Sequence, residues 1–132
     1  TDCPLIAAQL KNLRTILGPR APIDIVAIAI DPYHEKISDL RRFMTQHHMW
    51  GVRDFYYLTG PLATLRPVWN AYGISVTMTR TDKMSVHNDF MFIVSKTGTL
   101  RWIIPDDPPS SSAGTSSAVS QLRQLLAVQG VT

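Results

Sequence analysis

Residues 23–30 read IDIVAIAI and are closed by Asp31-Pro32. An alternating apolar–polar pattern would mark a strand with one wet face. A nearly unbroken apolar, β-branched run marks a strand covered on both faces, central in an α/β sheet. Proline then ends it, because it offers no N–H to a ladder and restricts the residue before it. Such a strand needs neighbours on both edges, and the rest of the chain is read for them.

Ahead of it, Pro4 suits the first position of a helix, where its missing N–H costs nothing. Leu5, Ile6, Leu10, Leu13 and Leu17 recur at helical spacing until Gly18-Pro19 stops them. After it, Ile37, Leu40, Phe43, Met44 and His47 mark a second helix, and DFYYL (54–58) reads as a short strand. Thr59-Gly60-Pro61 opens a third helix with Leu62, Leu65, Trp69 and Tyr72 on one face and Gly73 at its end. Pro67 inside that helix should kink it or cost a few kcal/mol.

Residues 74–89 are polar without a clear period and read as an extended loop. FMFIVS (90–95), the KTG turn and TLRWII (99–104) form a hairpin. PDDPPSSSAGTSS is a flexible loop. The final helix runs over 117–128 and buries Val119, Leu122, Leu125 and Leu126. The order is α-β-α-β-α-β-β-α.

A chain of 132 residues holds one domain with a real core. Its net charge of +3 comes from 13 Lys and Arg against 10 Asp and Glu, and the arginines are scattered. A nucleic-acid groove shows a denser basic stripe, so that class of partner is not expected. No stretch approaches the roughly 18 apolar residues of a membrane span. The single cysteine, Cys3, builds no internal disulfide framework.

The order starts with a helix, whereas βαβ logic wants a strand ahead of it. A strand immediately before TDCP would supply the missing neighbour of 23–30. An upstream segment in the natural protein is therefore expected, filling a gap one strand wide between 23–30 and 90–95.

CP opening a helix, AIDP closing a strand, YLTG before a helix that ends AYGI, and then VHNDFMFIVSKTGTLRW stand in a specific order. In that order the chain resembles the Sco/SenC family from Thr1 to the last helix. The resemblance implies an α/β, thioredoxin-like three-layer sandwich with a mixed sheet, here without its N-terminal strand, as one domain over 1–132. The family's proteins are copper chaperones and thiol–disulfide proteins that help assemble the copper centre of cytochrome c oxidase. Their metal site uses C-x-x-x-C-P and a histidine in the loop before the hairpin. Cys3 matches the second cysteine and His87 the histidine, while the first cysteine would fall just before Thr1. The family's usual Asp in the hairpin is Ser95 here, and PYHEKIS replaces a charged, Thr-Pro helix start.

The chemistry of these residues agrees. A thiol at a helix N-terminus meets unpaired N–H groups and the positive end of the dipole, which favour the thiolate needed for soft-metal binding or disulfide exchange. Imidazole with thiolates suits a copper ion. Asn88 and Asp89 are candidates to support His87. Asp31 ends the central strand where sites in α/β sheets gather, and matches the family's DP motif; a simple turn role is equally open. Met84, with Met78 near it, is an auxiliary thioether candidate, although most methionines only pack. His34 follows Asp31 towards the same rim. His47 and His48 read as a helix C-terminus, and Trp50, Trp69 and Trp102 as packing.

Two functions are weighed. The first is a copper-binding metallochaperone handing copper to a cytochrome c oxidase subunit or another copper carrier. The second is a thiol–disulfide oxidoreductase that keeps a partner's copper-ligating cysteines reduced; it needs both cysteines of the motif, with Cys3 as its catalytic thiol, and has no need of His87. Either way the domain is expected outside the cytoplasm, tethered to a membrane by an upstream anchor.

Overall fold

The structure is a computed structural model. It describes residues 3–79, 81, 84–88, 90–105, 114–128 and 130, with the side chains of 3–6, 85, 105 and 114–120 outside that description. The element order is α1 (Cys3–Leu17), β1 (Ile25–Ile28), α2 (Ile37–Gln46), β2 (Phe55–Leu58), α3 (Leu62–Ala71), β3 (Val76–Met78), β4 (Met84–His87), β5 (Phe90–Val94), β6 (Leu100–Pro105) and α4 (Gly114–Val128). The chain forms two compact units, one of residues 1–23 with 90–132 and one of 24–89.

In the first unit β5 and β6 are antiparallel, from Phe90 opposite Pro105 to Val94 opposite Leu100. Their turn closes through Ser95, whose N–H donates to the Thr99 carbonyl at 2.8 Å, with Gly98 at φ +82°. Leu13 of α1, Ile93 of β5, Ile104 of β6 and Leu122 and Leu126 of α4 make its core. Arg14 is buried in α1 and turns back on the chain. Its guanidinium donates to the carbonyls of Ala21 (3.1 Å) and Ile23 (2.7 Å), which fixes the path after Gly18-Pro19.

In the second unit β1 and β2 are parallel, Ile25 opposite Phe55 through Ile28 opposite Leu58. The core is Ala29, Leu65 and Trp69, with Tyr57, Ile74 and Val76 packed against it. The buried Trp69 indole N–H donates to the Ala29 carbonyl at 3.0 Å, tying α3 to the end of β1. α3 accommodates Pro67, and nothing in the structure explains why proline stands there. The helix ends in a Schellman motif. Gly73 N–H reaches the Asn70 carbonyl (3.2 Å) and Ile74 N–H the Trp69 carbonyl (2.8 Å), with Gly73 at φ +68°. A Cβ added at Gly73 would meet nothing within 4 Å. The cost of Gly73→Ala is therefore the left-handed backbone alone, an expected loss of about 1 kcal/mol in urea unfolding. A loss well above that would mean that the turn itself had rearranged.

Three sequence expectations differ from the structure. β1 is not covered on both faces: Ile25 is buried, whereas Val26 is 50% and Ile28 38% exposed. Their neighbours Tyr56 and Leu58 on β2 are exposed as well, giving the two-stranded sheet one apolar open face. Among the described residues β1 has one strand neighbour, β2. Second, 74–89 is not a loop, because it holds the antiparallel pair β3–β4. Third, α4 begins at Gly114, earlier than the apolar spacing indicated; residues 106–113 of the Pro/Ser segment lie outside the described residues.

Candidate functional site

His87 is the last residue of β4 and is half-buried. Its Nδ1 lies 3.3 Å from the Asn88 carbonyl oxygen. A carbonyl only accepts, so Nδ1 carries the proton and the ring lone pair lies on Nε2.

Asn88 is anchored in turn. Its Oδ1 accepts the Ser75 N–H at 2.8 Å, and its Nδ2 donates to the Gly73 carbonyl at 3.2 Å. Its own N–H donates to the Ser75 carbonyl at 3.3 Å. The Schellman end of α3 thus holds the turn that holds Asn88, which fixes the residue beside His87. Support from Asn88 was expected from its position. The route through the 73–75 backbone was not legible, because those partners are 13 and 15 residues away.

Met84 opens β4 and pairs with Met78 of β3, while Val76 pairs with His87. Asp31 follows β1. Both of its carboxylate oxygens lie 3.1 Å from Nδ1 of His34, so these two rim residues pair with each other. Their side chains are 17% and 50% exposed, in that order.

The residue that organises this rim is Glu35, which sequence reasoning missed. Its Oε2 accepts the N–H groups of Ile30 (2.8 Å) and Asp31 (2.6 Å), and its Oε1 accepts the Tyr57 hydroxyl. The Thr59 hydroxyl donates to its main-chain carbonyl at 2.7 Å. The available signal was a carboxylate within a turn of a strand's last N–H groups, where a capping acceptor is needed. His47 caps the C-terminus of α2, as expected, with its ring 4.5 Å from that of Phe43. Trp69 is core, while Trp50 and Trp102 are exposed at 63% and 43%.

Cys3 is the first residue of α1, at its N-terminus, in the unit of 1–23 with 90–132. Its side chain and Asp89 lie outside the described residues. His87, Asp31, Met84 and His34 belong to the 24–89 unit. Among the described residues no group of three or more His, Cys, Asp or Glu converges as a metal cluster. No helix among them is long and apolar enough to cross a membrane.

Among the described residues four helices stand with one parallel and two antiparallel two-stranded sheets, a mixed α/β architecture of the thioredoxin-like class. The SCO1/SenC family model matches residues 1–124, and the chain belongs to that family. Its fold is similar to that of a SCO1/SenC family lipoprotein from Bacillus anthracis str. Ames, with TM-score 0.71 and 15% identity over 94% of this chain and 73% of that one. It is also similar to ScoI from Arabidopsis thaliana, solved with copper bound, with TM-score 0.60 and 16% identity over 93% and 74%. Comparison with curated proteins finds no match.

Proposed function

We propose that this protein is a copper-binding metallochaperone that holds copper through Cys3 and His87 and passes it by ligand exchange to an oxidase subunit or another copper carrier. The carrying observation is His87, whose Nδ1–H on the Asn88 carbonyl leaves the lone pair on Nε2. Membership of the SCO1/SenC family and the copper in the Arabidopsis structure support the choice of ion. Thiolate and imidazole are a donor set that favours copper over hard cations. The thiolate would come from Cys3, where the N-terminus of α1 favours the ionised sulfur. The pattern's other cysteine position precedes Thr1. Asp31, paired to His34 and held by Glu35, would tune the rim. We place the domain outside the cytoplasm on a membrane tether, a reading supported by the lipoprotein among its structural neighbours.

The thiol–disulfide reading keeps one observation in its favour, the same helix N-terminus at Cys3. The two diverge at His87. A chelator-competition titration with Cu(I) should show His87→Ala and Cys3→Ser each weakening binding by about 100-fold or more, since both remove a direct ligand. Unchanged affinity in His87→Ala, with glutathione-coupled reduction of a model disulfide intact and lost only in Cys3→Ser, would select the oxidoreductase instead.

A further inference from the structure

The β3–β4 pair carries a step in register. Val76 faces His87 and Thr77 faces Val86, yet Met78 faces Met84 rather than Ser85. Three residues of β4 thus span what two residues of β3 span. Side chains two apart on a regular strand share a face, and directly paired residues share it across the ladder. Val76 and Met78 are two apart, so their partners His87 and Met84 lie on that same face. Without the step, Met84 and His87, three apart, would point to opposite faces. Burial agrees with this assignment. Val76, Met78, Met84 and His87 are all half-buried, whereas Thr77 and Val86 are exposed, Val86 at 65%.

One face of the hairpin therefore carries two thioethers and an imidazole at adjoining ladder positions. Paired residues have Cβ atoms roughly 4.5–5.5 Å apart, and the next pair along is about 7 Å away. Methionine, with three rotatable bonds, spans such distances readily. The Asn88 carbonyl holds the proton on Nδ1 of His87, so the ring's lone pair is on Nε2. The anchoring of Asn88 to Gly73 and Ser75 fixes the end of the strand that presents it.

We propose that Met78, Met84 and His87 form a holding site for a soft monovalent ion, Cu(I), that is complete without Cys3. Two thioethers and an imidazole match a soft cation and leave hard divalent ions unrewarded. Lacking a thiolate, the site binds more weakly than one with sulfur anions, which suits an ion in transit. It shares His87 and its cargo with the copper reading above and rests on that reading for its biological role.

The test uses the full chain with Cys3→Ser, titrated with Ag(I) as a redox-inert probe and with Cu(I). The methyl resonances of the five methionines report where the ion sits. The expected result is saturation at one equivalent, with Met78 and Met84 shifting and Met44, Met49 and Met91 unmoved. Adding Met78→Leu with Met84→Leu, a volume-matched exchange that preserves packing, should lower affinity at least about tenfold. Unmoved Met78 and Met84 methyls in the Cys3→Ser protein overturn the site without needing any methionine variant. Equal affinity in the leucine variant does the same. The copper reading fails separately, if Cys3→Ser and His87→Ala both leave the affinity of the otherwise native chain unchanged.

Discussion

Replacing Trp69 with alanine is expected to remove about 3–5 kcal/mol of stability, the range for deleting a buried large aromatic side chain. Trp69 is 6% exposed and packs with Ala29 and Leu65, so its loss opens a cavity in that cluster. It also strips the Ala29 carbonyl of its indole donor. Trp69→Phe separates the two effects. Most of the volume stays and the hydrogen bond goes, for an expected loss of about 1–3 kcal/mol from the unpaired buried carbonyl and the smaller ring. Urea unfolding followed by circular dichroism reads both, because it does not depend on the tryptophan removed. A loss below about 1 kcal/mol for Trp69→Ala would show that this cluster does not hold the 24–89 unit together.

Glu35→Ala is expected to be the next most damaging change, at roughly 3 kcal/mol. One carboxylate serves three donors there: the N–H groups of Ile30 and Asp31 and the Tyr57 hydroxyl. Hydrogen bonds to a charged acceptor contribute about 1.5–3 kcal/mol each, and removing the acceptor leaves the donors to find water at a partly buried site. Glu35→Gln keeps an oxygen for the two backbone donors but gives up the charge and places an NH2 donor where Oε1 accepts the Tyr57 hydroxyl, so about half the loss is expected. Amide exchange supplies the local readout, with Ile30 and Asp31 exchanging faster in Glu35→Ala and the β1 amides changing little. Equal stability of Glu35→Ala and the native chain would mean that the rim loop is held by Thr59 and the backbone alone.

The parts of the fold marked by local punctuation were readable in the chain. Gly18-Pro19 and Gly73 end helices where a left-handed residue is needed, and Lys96-Thr97-Gly98 closes the β5–β6 hairpin. Elsewhere long-range pairing decides the outcome. Val26 and Ile28 look like core residues because β-branched side chains look alike on either face, yet only the alternate positions Ile25 and Ala27 turn inward to any depth. The β3–β4 pair escaped notice because its register step breaks the period-two alternation by which strands are recognised. Within the candidate site, residue types were legible at Cys3, His87, Asp31 and Met84, since thiols, imidazoles and thioethers announce their chemistry. Glu35 and the anchoring of Asn88 were not, because their work is done through backbone groups that carry no residue-type signal.

The register step in β4 also separates what the chain is made of from what it displays. Let β4 pair without the step, so that Met78 faces Ser85, and every donor atom named above survives, in the same order and the same proportion. Only the parity of the strand changes, and with it the side of the hairpin on which Met84 stands. Recognition here is written in the spacing between letters as much as in the letters. Two chains with the same Met and His content and spacing, one pairing with the step and one without it, would carry different surfaces.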